Sequence, residues 1–513
     1  MTTRHRVLRD TYHDSVQLMR IASDVAESPA VTAAEAVMGT PANRDTLLNA
    51  GQLTAAQLDD IDSDDLVLVA SAPDPDEADA AVAAMARKLE SQTDSNDRTE
   101  RYIQPKSVQR GAAGTAGPDV ALISVPGEFA AKQAWHALHE GLDVCIFSDN
   151  VPLETERELK EAAADTGQLV MGPDCGTAIV GGLPLGFANV VAGGNIGLIS
   201  ASGTGLQAVS SRISRRGGGV SQAIGTGGRD LSSTVAGRTT RSALSALDAD
   251  DETDVIVLIS KPPAENAIDA INDTLAECST PVIAHFQGVS TEYDQLQMAD
   301  SLRATADDAL SVVGADAGPV DTAIDEEAFK QAVAALPDER RWLRGLFTGG
   351  TLCTEAALAL DTVVSRVHSN VGVGQAIADP ETLTQHAIVD LGADEFTAGR
   401  PHPMIDPALR NQYLERAVSD PTVGVVLLDV VLGHGAHEDP AGEVASVLTH
   451  TEAEPVVVAS VCGTDEDPQR RQAQIETLEA AGVFVADSNV AAAHYVTRAA
   501  AKIGTETIQE DSL

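Results

Sequence analysis

Ser200-Ala201-Ser202-Gly203-Thr204-Gly205-Leu206-Gln207-Ala208 is answered about 150 residues later by Phe347-Thr348-Gly349-Gly350-Thr351-Leu352-Cys353-Thr354-Glu355-Ala356. Each stretch follows an apolar run and leads into a helical pattern, so each reads as a small-residue turn that opens a helix. Such a turn leaves several backbone N–H groups unpaired beside the positive end of the helix dipole. The match continues downstream. Ile224-Gly225-Thr226-Gly227-Gly228-Arg229-Asp230 and Ala236-Gly237-Arg238 follow the first turn, then the strand-like run 254–260. Asp390-Leu391-Gly392-Ala393-Asp394-Glu395 and Ala398-Gly399-Arg400 follow the second, then the run 423–429. A third strand pair closes the set, Pro281 to Phe286 and Pro455 to Ser460. Landmarks repeated in one order and at similar spacing define two related α/β domains, 193–325 and 341–513, joined by a linker at 326–340.

Upstream, the runs 119–126, 143–148 and 167–175 alternate with helical patterns to Glu140 and over Glu154 to Ala164. Strand, helix, strand, helix, strand at this spacing predicts a parallel Rossmann-type unit over 119–192 with right-handed crossovers. Residues 1–90 form a small α/β domain. It has a helix over Tyr12 to Ala26, a strand over Leu66 to Ala70 and a helix over Asp76 to Leu89. Polar residues from Glu90 to Glu100 open a linker, 91–118, that has no apolar anchor.

Composition narrows the classes. The 513 residues suffice for several domains with their own cores. No apolar run is long enough to span a bilayer and the N-terminus is polar, so the expectation is a soluble, cytoplasmic protein. Five scattered cysteines without a CxxC pair argue against a disulfide frame or a zinc site, and no metal is expected. With 77 acidic against 34 basic residues, the net charge is −43. The acids run along the whole chain, as in proteins of a very salty cytoplasm, where salt screens their repulsion. A partner of basic proteins is the alternative. Nucleic acid is not an expected partner, because no basic patch exists to neutralise phosphates.

Several of these stretches resemble the succinyl-CoA synthetase superfamily. Val170-Met171-Gly172-Pro173-Asp174-Cys175 resembles the Gly-Pro-Asn-Cys signature that closes the CoA-binding domain of the synthetase alpha subunit, and Ile199 to Gly205 its phosphate-binding helix start. The chain is more closely similar to the FdrA proteins, labelled acyl-CoA-synthetase-like. That likeness rests on Met38-Gly39-Thr40-Pro41-Ala42-Asn43, on Gly349 to Cys353, on Glu395 to Asp406 and on Asp429 to Pro440. The resemblance implies a CoA-binding-like Rossmann unit followed by two tandem flavodoxin-like domains, with a small N-terminal α/β domain. Val125, Pro126, Ser148 and Pro173 are the positions it offers for CoA, the one cofactor it suggests. It also implies carbamoyl phosphate or phosphate as a substrate, a small acid or amide as the other reactant, and further protein subunits as partners. The synthetase's phosphorylated histidine has no counterpart, since no histidine lies between His285 and His368. No GxxxxGKS motif occurs either.

The candidate site residues follow. Ser202, Gly203, Thr204 and Gly205 face Gly349, Gly350 and Thr351 across a phosphate, as two helix termini do in the resembled fold; the alternative is two well-capped helix starts. Arg229 and Arg238 are candidates to clamp the substrate, through the planar fork that suits carboxylate and phosphate; surface ion pairs are the alternative. Arg400, His402 and His437 are the catalytic candidates, with His434 beside Asp429 and Asp439. Cys353 and Cys175 read as packing residues. Three functions stay open. They are a carbamoyl or acyl transferase subunit related to oxamate carbamoyltransferase of allantoin catabolism, an acyl-CoA synthetase with a partner subunit, and an inactive metabolite-binding scaffold.

Overall fold

The structure, a computed structural model, describes the chain apart from positions 1, 10, 12, 14, 27, 29, 59, 64, 96–106, 115–116, 294, 316–323, 365–366, 380–382, 384, 398–399, 451–454 and 504–513. Part of the expected linker and the pair Ala398-Gly399 lie outside the described residues. Two compact units form: Met1–Gln104 with Asp394–Pro401, and Pro105–Ala393 with His402–Leu513.

In the first unit, β1 (Thr2–Leu8), β2 (Ala33–Met38) and β3 (Leu66–Ala72) make an antiparallel sheet of order β1-β3-β2. Every residue of β3 is buried, because both of its faces are covered. Leu66, Leu68 and Ala70 meet the helices Ser15–Ala26 and Pro75–Ser95. Val67 and Val69 meet Leu47, Leu53, Leu58 and Ile61. Thr40 caps the helix Pro41–Asn49 through Asn43 N–H, and Pro41 occupies its first turn.

The second unit begins with β4 (Val120–Ile123), β5 (Asp143–Ile146) and β6 (Val170–Met171), a parallel sheet of order β4-β5-β6. The Rossmann-type unit expected over 119–192 ends earlier as a sheet. A hairpin of β7 (Thr177–Val180) and β8 (Leu183–Gly186) turns at Gly181-Gly182, both at positive φ, and β7 joins the next sheet. That sheet contains β9 (Gly193–Ser200), β10 (Val220–Gly225), β11 (Val255–Ser260), β12 (Val282–Phe286) and β13 (Gln297–Met298), in the order β13-β12-β11-β9-β10-β7-β8. The last sheet contains β14 (Trp342–Phe347), β15 (His368–Ser369), β16 (Gln375–Ala376), β17 (Ala387–Asp390), β18 (Val423–Val431), β19 (Val456–Cys462) and β20 (Phe484–Ala486), in the order β16-β15-β17-β14-β18-β19-β20.

The two large sheets share one plan. Numbered from the first strand of each repeat, with the two-residue strands β15 and β16 left out of the count, β10-β9-β11-β12-β13 and β17-β14-β18-β19-β20 both run 2-1-3-4-5, the doubly wound order whose switch point lies between strands 1 and 3. Only the flanking pairs differ, β7–β8 antiparallel in one and β15–β16 parallel in the other. The central strands are apolar without alternation, as strands covered on both faces must be; all nine residues of β18 are buried. One core cluster runs through both repeats, from Leu206, Val209 and Ile213 to Leu352, Ala356 and Val496. The stretch expected as a linker, 326–340, contains the helix Glu326–Ala334, capped by Asp325. Within the expected linker 91–118, Val108–Gly114 is helical. No helix among the described residues is long and apolar enough to cross a membrane.

Candidate functional site

Both small-residue turns sit at the carboxyl end of the first strand of their repeat, the switch point where doubly wound sheets hold ligands. The first is shaped by its own hydroxyls. Ser200 Oγ donates to Ser202 O at 2.7 Å, and Ser202 Oγ accepts from Gly205 N–H at 2.9 Å to cap the helix Gly203–Arg215. The second turn has Gly349 at the cap position, with no side chain to do this. Asp429, from β18, supplies the acceptor instead. Its carboxylate takes Thr348 N–H at 2.8 Å, Gly349 N–H at 2.9 Å and the Thr348 hydroxyl at 3.2 Å. Complete burial pushes the Asp429 carboxyl up to about 6, against the hydrogen bonds from Thr348 and Gly349 and the nearby charge of Arg410. Arg410 is itself buried and donates to the Asp429 backbone carbonyl at 3.2 Å.

The two helix starts meet. Ser202 Oγ and Thr351 Oγ1 are hydrogen-bonded to each other. Gly349 lies against Thr204; a Cβ there would come within 2.8 Å of Thr204 Cγ2. A Cβ on Gly350 would stand 2.7 Å from Asp390 Oδ2. Gln287 Nε2 donates to Thr351 O at 2.8 Å, tying the carboxyl end of β12 to the start of the helix Gly350–Asp361. Glycine, serine and threonine are the residues that permit this approach, since a larger side chain would part the two termini. All seven anion-site candidates from the sequence are therefore in one place, and Asp429 and Asp390 stand among them.

His402 borders the same turn. A Cβ on Gly392 would lie 2.5 Å from His402 Nε2 and 2.8 Å from Thr348 O. Burial pushes the imidazole down to about 4, so it is neutral at pH 7. Met404 N–H donates to Nδ1 at 3.2 Å, which places the ring proton on Nε2 and makes that atom a neutral donor. His437 belongs to the same loop cluster, its N–H donating to Met404 O at 2.8 Å and its Nδ1 accepting from Asp439 N–H at 3.2 Å. With 15N-labelled histidine, long-range proton–nitrogen correlation should show His402 in the Nε2–H form with no titration from pH 5.5 to 8. A midpoint near 6.5 would contradict this assignment. The sign for stability follows: the unfolded histidine gains a proton near its ordinary 6.5, so this contribution weakens as pH falls from there to about 4.

The arginines have other partners. Arg229 donates to Val151 O at 2.8 Å and pairs with Glu156 at 2.8 Å. Arg238 donates to Val235 O at 2.6 Å. Arg400 lies in the segment that groups with the first unit, where its N–H donates to Thr397 O at 3.1 Å. Val125, Pro126, Ser148 and Pro173 follow the carboxyl ends of β4, β5 and β6, and Ser148 Oγ accepts from Val125 N–H at 3.0 Å. Cys353 is buried in the core, which pushes its thiol well up, as expected of a packing residue. The capping role of Asp429 and the approach of Asp390 were not foreseen. The signal was present, since each is a lone acid ending or interrupting an apolar run, where burial is costly unless donors surround it.

Comparison with known proteins fits this architecture. A family model described as CoA-ligase matches residues 346–499. One described as AllF, heavy metal-associated domain matches residues 1–105. YahF of Escherichia coli (strain K12), described as uncharacterized, is 37% identical over 493 residues, which is 94% of this chain and 95% of that protein. The ADP-forming sulfoacetate-CoA ligase subunit SauD of Bilophila wadsworthia is 30% identical over 162 residues, 30% of this chain and 54% of that one. Among solved structures, the apo form of the dinucleotide-forming acetyl-coenzyme A synthetase 1 of Ca. Korarchaeum cryptofilum aligns at a TM-score of 0.32 and 16% identity, over 75% of this chain and 84% of that one. Residues 346–499 are thus of the CoA-ligase class. The chain as a whole belongs to the family of YahF and carries an AllF-type N-terminal domain.

The heavy-metal description does not fit the residues present. Positions 1–105 contain no cysteine, so no thiolate pair is available for a soft metal. Among the described residues no three His, Cys, Asp or Glu side chains gather as ligands.

Proposed function

We propose that this chain is a subunit of a carbamoyl- or acyl-phosphate transferase, related to oxamate carbamoyltransferase of allantoin catabolism, and that its phosphate binds where the two helix starts meet. The observation that carries this is the contact of Ser202 and Thr204 with Thr351 and Gly349 at paired switch points. Two helix N-termini meet there, and the positive ends of their dipoles suit an anion. The AllF description over residues 1–105 supports the carbamoyl reading. The lack of histidine from Phe286 to Val367 supports transfer without a phosphoenzyme. In this reaction a phosphate oxygen attacks the carbamoyl carbon, a C–O bond forms and the C–N bond breaks. The proton of the phosphate hydroxyl passes to the departing nitrogen, with His437 as the carrier. The neutral Nε2–H of His402 donates to the oxyanion that develops on the carbonyl.

An acyl-CoA ligase acting with a partner subunit is the second reading. The CoA-ligase match and the gathering of Val125, Pro126, Ser148 and Pro173 at one sheet edge favour it. Thermal unfolding in molar potassium chloride, with carbamoyl phosphate, phosphate, CoA and ATP added separately, decides between them. The expected result is a midpoint that climbs with carbamoyl phosphate and phosphate and stays fixed with CoA. Gly349→Ala, which forces Thr204 away, should cost about 1–3 kcal/mol and abolish the phosphate response. A response to CoA alone would replace the first reading with the second.

A further inference from the structure

A separate cavity of about 40 Å³ lies between the repeats, bounded by the far half of the helix Gly203–Arg215, the start of the helix Leu302–Val312 and the residues leading into the helix Asn489–Ile503. One water needs roughly 10–15 Å³ in this measure, so the space takes about three waters or a molecule of a few heavy atoms. CoA and nucleotides are far too large for it.

Arg212, Arg215 and Arg303 belong to its lining together with Asp487 and Glu355, three arginines in a chain with 34 basic against 77 acidic residues. Arg212 is committed, with Nε and Nη2 on Asp307 at 2.8 and 3.0 Å and Nη1 on Asp487 at 2.7 Å. Arg303 is not held in this way. Its guanidinium stands 3.7 Å from Asp307 and 4.0 Å from Asp487, beyond hydrogen-bond length, so these carboxylates leave its N–H groups available. Ser211 also lines the space. It is 1% exposed, and its Oγ has no hydrogen-bond partner among the described residues, a cost that a bound acceptor would remove. Leu302 and Leu352 supply apolar surface to the same lining. The Glu355 carboxylate, also in the lining, is occupied by Leu302 N–H at 3.1 Å and Asn489 Nδ2 at 2.8 Å.

We propose that this cavity binds a small monocarboxylate, with its carboxylate on Arg303 and Ser211 and its short hydrocarbon part on Leu302 and Leu352. A planar guanidinium fork matches a carboxylate, and the volume limits the ligand to about two or three carbons. The site uses none of the hydroxyls that join the two turns, so it stands independently of the phosphate reading.

Isothermal titration of the full chain with propionate, in molar potassium chloride, tests it. Saturable binding is expected. Arg303→Met should weaken it at least tenfold, and Ser211→Ala severalfold, while both variants keep the midpoint rise with inorganic phosphate that belongs to the turns. Arg303 is 38% exposed on its side chain, so its variant should fold, and Ser211→Ala provides a second test if it does not. Absence of saturable propionate binding, or equal binding in wild type and both variants, overturns the proposal. Loss of the phosphate response with propionate binding unchanged in Arg303→Met would overturn it too, by assigning the cavity to inorganic anions. A chain that binds propionate but not phosphate would retain this site and lose the transferase reading.

Discussion

Lys160→Met should destabilise the second unit, Pro105–Ala393 with His402–Leu513, by about 3–5 kcal/mol, the usual cost of stripping one partner from a buried ion pair. Lys160 has no exposed side-chain surface, and neither do Glu156 and Asp230. Its ammonium donates to Glu156 Oε1 at 2.9 Å, to Asp230 Oδ1 at 2.9 Å and to Thr226 O at 2.8 Å. Asp230 also accepts from Thr239 N–H at 3.2 Å, Thr240 N–H at 3.0 Å and the Thr240 hydroxyl at 2.7 Å. With Arg229 on the other oxygen of Glu156, two cations face two carboxylates. Without Lys160, Glu156 keeps the partly exposed Arg229, and Asp230 keeps only its neutral donors on Thr239 and Thr240. The expected readout is a melting midpoint lower by roughly 4–6 °C in a unit of this size. A second variant separates charge from packing: Lys160→Met with Glu156→Gln and Asp230→Asn should recover most of the loss, because the uncompensated charges go too. A loss below about 1 kcal/mol in the single variant would mean that this network is solvated, contrary to the burial described.

The same network shows why Arg229 could not be placed from the sequence. An arginine among glycines after a strand has the same local appearance whether it meets a ligand or a carboxylate 73 positions earlier, at Glu156. What the sequence displays well is local. The turn, strand and glycine landmarks repeat, and two sheets in 2-1-3-4-5 order follow from them. The meeting of Ser202 with Thr351 depends on how two domains dock across 149 positions, which no local pattern encodes. The N-terminal sheet was obscured differently. β1 carries Arg4, His5 and Arg6 on exposed positions, and β2 reads Ala-Ala-Glu-Ala-Val-Met, better suited to a helix by propensity. Pairing with the wholly buried β3 overrides that preference. Some signals were legible and went unread. Four-residue runs on either side of Gly181-Gly182 mark the hairpin of β7 and β8, and Thr40-Pro41 marks the helix that follows.

Asp429→Asn should tighten anion binding at the turns at least tenfold at pH 7.5 and flatten its pH dependence. In the wild type the carboxylate holds the N–H groups of Thr348 and Gly349, two donors beside the seam where a phosphate would lie, and adds a negative charge there. Anion binding at neutral pH must therefore work against Asp429. Its folded pKa is raised to about 6 from the ordinary 3.8, so the folded state keeps a proton that the unfolded chain has released between those values. Stability from this group is consequently greatest below about 4, falls as pH rises to about 6 and stays lower above it, by on the order of 2–3 kcal/mol. Protonation in that window also weakens the repulsion. Sulfate, which keeps its charge across the range, is the appropriate probe: its affinity for the wild type should rise as pH falls from 7.5 to 5, and in Asp429→Asn it should be high throughout. The variant retains one acceptor for the turn and loses the second, so some helix-cap stability is surrendered while the charge repulsion disappears. Sulfate binding that is unchanged by the substitution and indifferent to pH would reduce Asp429 to a helix cap and remove the anion site from the seam between the repeats.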